Sequence, residues 1–546
     1  MFVKSILILA VFLYLFFSLL VQDIGSFDES YLIVAAKTIN QGIAYYRDVI
    51  CIVPPLSLYL CAFFIKPFNS PIFASRILEL FILLASLILL YKTIKHLKVS
   101  ESFTYFILLL FAYRLQSLRH WYSYNTLCVM FSLISLLCFL KFLNKRSYKH
   151  IFLAGLFLGL MALTKQTIAL ACTAAIALCL VFDRAGKKEI SLQRVLSVLA
   201  FGISAPILVV VFYYFKNGLL QQFASGYFLA ISTKYFENGI SYFSKHAGFS
   251  DGGWLRFYML PLIVILIYVF FSLYLYFSKK KTYPVLGYVV IFSAANFFAF
   301  IYPIADIFHF AHAFYFVILI IACAYNIFTA EQPSLNIGKF KFTAEDLALI
   351  FVILLSAATY VIPDYLSFVV LFVFFAEKMA GDNIFVPLSR YIKLKYAFLV
   401  LCLFLFSSML SSTIGNACLM HKRVYYQNIF ISKQQFRLIS EIKKELGDSK
   451  QYVLQAPSFP LLYLIGNYIN PTRFYIIHPN AVMPQHQQEI IDDLKTKNVR
   501  TVVLDIPLYA TDATGFNSLF PDIADFIKRE YSECKVIDNK IHIYKK

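Results

Sequence analysis

Ionisable residues in this chain collect in a few short stretches, and each stretch has side chains that can do chemistry. In Gly25–Gly42, Asp28 and Glu29 stand near the start. A carboxylate within hydrogen-bond reach of a hydroxyl can take its proton as a general base. The same pair also suits helix capping: Ser26 and Glu29 have capping-box spacing, and helix starts favour acids. Tyr46-Arg47-Asp48 follows. Arg47 and Asp48 either pair with each other, as surface ions commonly do, or hold a substrate. In Thr164-Lys165-Gln166, the lysine either snorkels to an interface or anchors a phosphate, with Gln166 beside it. Arg114, Arg119 and His120 invite the same reading. Asp306 and His309, three apart, share a face if a helix begins near Ala305; Asp306 also suits an N-cap. Two such groups make no metal site. No cofactor is expected, and a divalent ion is the one group the pattern leaves open.

The elements that position these residues are set by composition. Of 546 residues, 60% are hydrophobic and only 14% charged, with mean hydropathy +0.71. Soluble domains are nearer a quarter charged. Disorder and disulfide scaffolds are excluded, and an integral membrane protein is implied. The net charge of +19 is explained by basic cytoplasmic loops rather than by nucleic acid. Most of the ten cysteines lie in apolar runs, without C-x-x-C or zinc-ligand spacing.

About thirteen apolar stretches approach the length of a transmembrane helix: 5–22, 75–91, 101–113, 124–142, 150–163, 167–182, 195–215, 255–277, 284–303, 307–328, 345–361, 364–377 and 396–414. The first resembles a signal peptide but lacks a small-x-small cleavage site before Asp23, so it reads as retained. With the N-terminus inside, the seven inner segments hold 21 Lys and Arg, as the positive-inside rule requires. Asp28, Arg119, Lys165, Asp306 and His309 then fall in four loops on one outer face. Carboxylates and cations gathered there suit chemistry on a lipid phosphate. In the first loop, Leu32, Ala35, Ala36 and Ile39 share one helical face, and Gly42 is a natural stop, so a surface helix is expected. Pro54-Pro55 reads as the start of the next helix.

Residues 1–417 form the membrane domain in this reading, and 418–546 an outer soluble one. The tail has no 18-residue apolar run. Ser432–Leu446 reads as an amphipathic helix with Ser432 and Gln435 in capping-box spacing. Gln451–Pro457, Arg473–His478 and Arg500–Ile506 read as strands, and Pro484–Lys497 and Pro521–Arg529 as helices. Alternating strands and helices imply a small α/β domain.

Taken together, Phe27-Asp28-Glu29, Tyr31-Leu32, Ala35, Gly42, Tyr46-Arg47-Asp48 and Pro54-Pro55-Leu56 resemble the GT-C membrane glycosyltransferases. The bacterial branch related to protein O-mannosyltransferases and the lipid A aminoarabinose transferase is the nearest. Leu163-Thr164-Lys165-Gln166-Thr167, Pro303-x-x-Asp306-x-x-His309 and the tail segment Leu462–Phe474 look like later family motifs. The resemblance implies a first-loop aspartate at the active site, surface helices after it, and an outer soluble domain. It implies inverting transfer from a polyprenyl-phosphate sugar, with Asp28 as base. Glu29 would orient the base or the sugar, while Lys165 with Arg119 or Arg47 would hold the phosphate. Arg47, Asp48, Arg119, Lys165, Gln166, Asp306 and His309 are the expected substrate-binding residues. The implied partners are the lipid-linked donor, membrane lipids and an envelope glycan, lipid or protein acceptor. The implied place is the bacterial inner membrane. An envelope-polysaccharide ligase or polymerase and a lipid-linked sugar transporter are the alternatives. A transporter predicts internal repeats or charges in mid-helix.

Overall fold

The computed structural model describes residues 2–25, 28–49, 53–99, 122–186, 191–229, 284–301 and 394–457. It also describes most of 312–323 and 460–546, a few positions at 101–112, and part of 335–342. The first half is helical: α1 Phe2–Leu20, α2 Asp28–Asn40, α3 Pro55–Ile65, α4 Pro71–His96, α5 Tyr124–Lys145, α6 Tyr148–Ala162, α7 Gln166–Gly186 and α8 Leu192–Lys216. Helices α9 Pro284–Ile301 and α10 Leu394–Met420 follow, with a small hairpin between them, β1 Leu335–Ile337 and β2 Phe340–Phe342. These helices cover eight of the expected spans. The spans 101–113 and 307–328 are described only in part, and 255–277, 345–361 and 364–377 lie outside the described residues.

Local sequence explains the helix ends. Pro55 and Pro71 begin α3 and α4, where a missing N–H costs nothing. The Ser70 hydroxyl accepts from Phe73 N at α4, and Ser123 from Asn125 N at α5. Gly42, at φ +83, ends the turn after α2 in a conformation that favours glycine.

Among the described residues, α4, α5, α7 up to Asp183 and α8 are long and apolar enough to cross a membrane. Phe201, Leu208, Val209, Phe212 and Phe215 of α8 are exposed, an apolar surface suited to lipid rather than water. This is a multi-pass membrane protein. On its inner side α8 crosses α6 at a seam of small residues. A Cβ at Gly155 would collide with the Leu199 carbonyl, and one at Gly159 with that of Ile203. Such close backbone approach is how helices gain contact where lipid competes equally for apolar side chains.

The loops sort onto two ends, in agreement with the alternation read from charge. Asn144 lies 3.0 Å from His96, and Arg146 is paired with Asp183. All four belong to segments placed on one face. At the other end Leu56 N donates to Leu163 O at 3.0 Å, and Gln166 Nε2 donates to Tyr227 O at 3.2 Å.

After α10 comes a hairpin, β3 Val424–Tyr426 and β4 Ile429–Ile431, then α11 Lys433–Leu446. The remaining elements are β5 Gln451–Ala456, α12 Leu462–Ile465, β6 Tyr468–Ile469, α13 Gln487–Thr496, β7 Thr501–Leu504, α14 Pro521–Glu530, β8 Ser532–Ile537 and β9 Ile541–Lys545. The five-stranded sheet has the order β6-β5-β7-β9-β8, with β5 parallel to β6 and β7 and with β9 antiparallel to β7 and β8. Strand alternation divides its side chains. Leu454, Val502 and Leu504 pack with Ile490, Leu494, Ile523 and Ile527 of α13 and α14. Val453, Val503 and Ile543 belong to a second core with Ile439 and Ile442 of α11, and that core continues into Leu20, Ile24, Ile33 and Val34 of the first loop and its flanks.

The strand expected at Arg473–His478 is not formed among its described residues. Arg473–Tyr475 is irregular apart from a bridge residue at Phe474, and the strand beside β5 is Tyr468–Ile469. Asn470 Oδ1 accepts from Thr472 N, and Thr472 Oγ1 accepts from Phe474 N. These local side-chain turns compete with a ladder. The hairpin β8–β9 escaped the sequence reading because most of β8 is polar and solvent-facing.

Candidate active site

The loop between α1 and α3 is built around one buried ion pair. Asp28 is the first residue of α2. Glu29 and Arg76 are 0% and 1% exposed. Arg76 Nε donates to Glu29 Oε1 at 2.7 Å and Nη2 to Oε2 at 3.0 Å. The other donors go to main-chain oxygens: Nη1 to Leu19 at 2.8 Å and Gln22 at 2.9 Å, Nη2 to Asp23 at 2.9 Å. All five guanidinium donors are used. Glu29 Oε2 also accepts from Gly25 N at 2.7 Å, and the Ser30 hydroxyl donates to Gly25 O. The end of α1, the loop and the start of α2 thus close around one arginine of α4. The Glu29 carboxylate is thus buried and held by Arg76 and Gly25, which suits fixing the loop beside Asp28 better than a catalytic part.

The tail holds the same loop from outside. The Ser432 hydroxyl caps α11, accepting from Gln435 N at 3.1 Å. The Gln435 side chain does not reach back to Ser432. It accepts from Ile24 N at 2.8 Å and donates to Ile24 O at 2.9 Å. Asp23 takes the vacated place: its Oδ1 accepts from Ser432 N at 2.6 Å and its Oδ2 from the Ser432 hydroxyl at 2.9 Å. Arg423 pairs with Asp23 at 3.2 Å.

Arg47 and Asp48 pair with each other at 2.8 Å and are half-exposed. Ala44 N also donates to Asp48. The Arg47 guanidinium holds the Asp48 carboxyl below the usual carboxylate range. Tyr46 anchors this turn at φ 72. Its ring lies against Tyr45, Tyr214 and Phe223, and a Cβ at Gly226 would strike it. Arg47 and Asp48 line an open cavity of about 510 Å³ between α2 and the tail.

Lys165 sits in the turn between α6 and α7. Its Nζ donates to Asn125 Oδ1 at 3.0 Å and lies 5.7 Å and 5.9 Å from the ring centroids of Tyr124 and Phe300. Gln166 begins α7 and is tied to Tyr227. Arg119, Asp306 and His309 lie outside the described residues. Sequence reasoning missed Arg76, although the signal was present: an arginine inside the apolar run 75–91, where an ionisable residue is rare and has a purpose. Asp23 and Gln435 gave no such signal, because their partners lie about 400 residues away.

Residues 52–214 match the family described as dolichyl-phosphate-mannose-protein mannosyltransferase. No curated protein gives a significant sequence match. ArnT from Cupriavidus metallidurans in the apo state is 14% identical, with 99% of this chain and 97% of that chain covered at a TM-score of 0.51. The same protein bound to undecaprenyl phosphate gives 14% identity, the same coverage and a TM-score of 0.50. An oligosaccharyltransferase of Archaeoglobus fulgidus, tethered to an acceptor peptide, is 12% identical over 99% of this chain and 73% of that one, at a TM-score of 0.47. The chain has the fold of the GT-C membrane glycosyltransferases, as its first outer loop implies.

Proposed function

We propose that this protein moves a sugar from a polyprenyl-phosphate donor to a hydroxyl of an envelope acceptor, outside the cytoplasmic membrane and with inversion. The place of Asp28 carries the reading. It opens a helix whose start is held by Glu29 and Arg76 from within, and by Ser432 and Gln435 of the tail through Asp23 and Ile24. A catalytic group needs such fixed support.

In the reaction the acceptor oxygen attacks the anomeric carbon from the face opposite the phosphate. The bond from that carbon to the phosphate oxygen breaks, and its electron pair leaves with the phosphate. Asp28 takes the hydroxyl proton. The growing negative charge on the phosphate is met by Lys165, with Arg119 or Arg47. Gln166, Asp48, Asp306 and His309 complete the substrate contacts. The N-terminus lies in the cytoplasm of a bacterial cell, and residues 418–546 form the outer domain over residues 1–417.

Asp28→Asn tests the base. Asn caps a helix as well as Asp, so the variant keeps its folding and expression. Loss of a general base lowers transfer by about 10²–10⁴-fold. The measurement is mass spectrometry of envelope glycans from cells lacking the protein, complemented with wild type or Asp28→Asn. The wild type restores the missing glycan and the variant does not. Full restoration by the variant makes Asp28 a cap and moves the base elsewhere, with Asp306 next.

A further inference from the structure

The cavity between α2 and the tail carries charges beyond Arg47 and Asp48, the two that the transfer reaction already uses. Seven ionisable residues line it, four cations and three carboxylates. Three of the cations already have an acid. Arg47 pairs with Asp48, Arg473 with Glu489 at 2.5 Å, and Lys497 with Asp493 at 2.7 Å. The fourth, Lys37, has no carboxylate partner among the described residues. Its Nζ donates only to the Tyr463 carbonyl, at 3.3 Å. It is half-buried, and burial lowers its pKa. A partly desolvated ammonium without a counter-charge has an unmet need for an anion.

The rest of the lining suits a sugar. Four tyrosines face the cavity, and aromatic faces pack against the apolar faces of sugar rings while polar edges remain free. Three of the four are fixed: Tyr463 donates to Val453 O, Tyr468 to Gly447 O, and Tyr475 accepts from Thr38. Arg473 and Glu489 form a two-pronged pair at the wall. Lys37 lies nine residues beyond Asp28 on α2, about 14 Å along the axis. One sugar ring cannot reach from one to the other, so an occupant that also reacts at Asp28 is an extended chain.

We propose that this cavity holds the acceptor, a saccharide chain carrying a carboxylate or phosphate that pairs with Lys37, at a distance from the reacting hydroxyl. This rests on the transferase reading above and names the acceptor class for it. Binding here is remote from the chemistry, and such binding energy raises the rate by orienting the reacting end.

The test uses the full-length Asp28→Asn protein in lipid nanodiscs, so that binding is read without turnover. An array of bacterial surface oligosaccharides, with carboxylated, phosphorylated and neutral members, is the probe. Anionic chains of more than one ring are retained, and whether carboxylates or phosphates dominate identifies the charged group. Adding Lys37→Gln weakens those ligands about tenfold or more, and Lys37→Arg restores them, with thermal unfolding unchanged in both. Equal retention of neutral chains, no retention of any glycan, or indifference to Lys37→Gln each overturns the proposal. The base assignment fails separately, through transfer by Asp28→Asn, and that result leaves the cavity's ligand intact.

Discussion

The two ends of α2 use ionic groups in opposite ways. At its start Glu29 and Arg76 are dry, bidentate and surrounded by main-chain acceptors. Near its C-terminal end the pairs are wet: Arg47 and Asp48 are 57% and 38% exposed, Arg473 and Glu489 34% and 37%. A buried pair holds its shape, because losing one partner leaves a charge stranded. A wet pair contributes little to stability and can exchange its partner for a ligand. One short helix thus fixes its first residue and leaves a receptive surface three turns away.

The sharpest way to break this contrast is at Arg76. Arg76→Met strands the Glu29 carboxylate and uncaps three carbonyls, so unfolding of the detergent-solubilised protein shifts by about 3–5 kcal/mol. Glu29→Met with Arg76→Met does not recover the loss, since the carbonyls of Leu19, Gln22 and Asp23 remain without their donors. Full recovery of the melting temperature in the double variant would make the pair an isolated ionic contact rather than the knot of the loop.

The tail's grip is of intermediate size. Gln435→Ala removes two hydrogen bonds to Ile24, each worth about 0.5–1.5 kcal/mol net. Transfer falls through kcat while donor binding is unchanged, because the variant loosens the loop that bears Asp28 and touches no substrate. A change confined to KM would place Gln435 in a binding role instead.

The wet pair should respond least. Arg47→Ala lowers the melting temperature near neutral pH only slightly, because an exposed pair is worth about 0–1 kcal/mol. The sign of its pH dependence follows from Asp48, whose folded pKa lies below the ordinary 3.8 because Arg47 donates to it. Its contribution is present above the ordinary value and is lost as pH falls through the lowered folded value. Arg47→Ala therefore flattens stability against pH only in the acid range. A shift at pH 7 as large as that of Arg76→Met would show that this exposed pair carries structural weight.

How far these features could be read from sequence depended on where their partners lie. The helix at Asp28–Asn40, its stop at Gly42 and the proline start at 55 are local, and local signals were visible. The Ser432 cap was visible too, but not the fate of Gln435, whose amide prefers Ile24 to its own helix start. Arg47 beside Asp48 was readable as a pair from adjacency alone. Glu29 was not, because Arg76 stands 47 positions away. Arg473–His478 has a strand's composition, and Asn470 and Thr472 override it with local turns. Lys37 is one lysine among many in sequence, and only the fold shows that the acids around its cavity already have other partners.

Translation order adds a consequence. Gln435 leaves the ribosome 411 residues after Ile24, and Ser432 409 after Asp23. The loop bearing Asp28 is therefore made about 400 residues before the segment that fastens it. A nascent chain that has inserted its helices still lacks the outer half of the clamp. A product ending at Met420 keeps α1 against α10 but lacks Ser432 and Gln435, so its first loop is left unfastened.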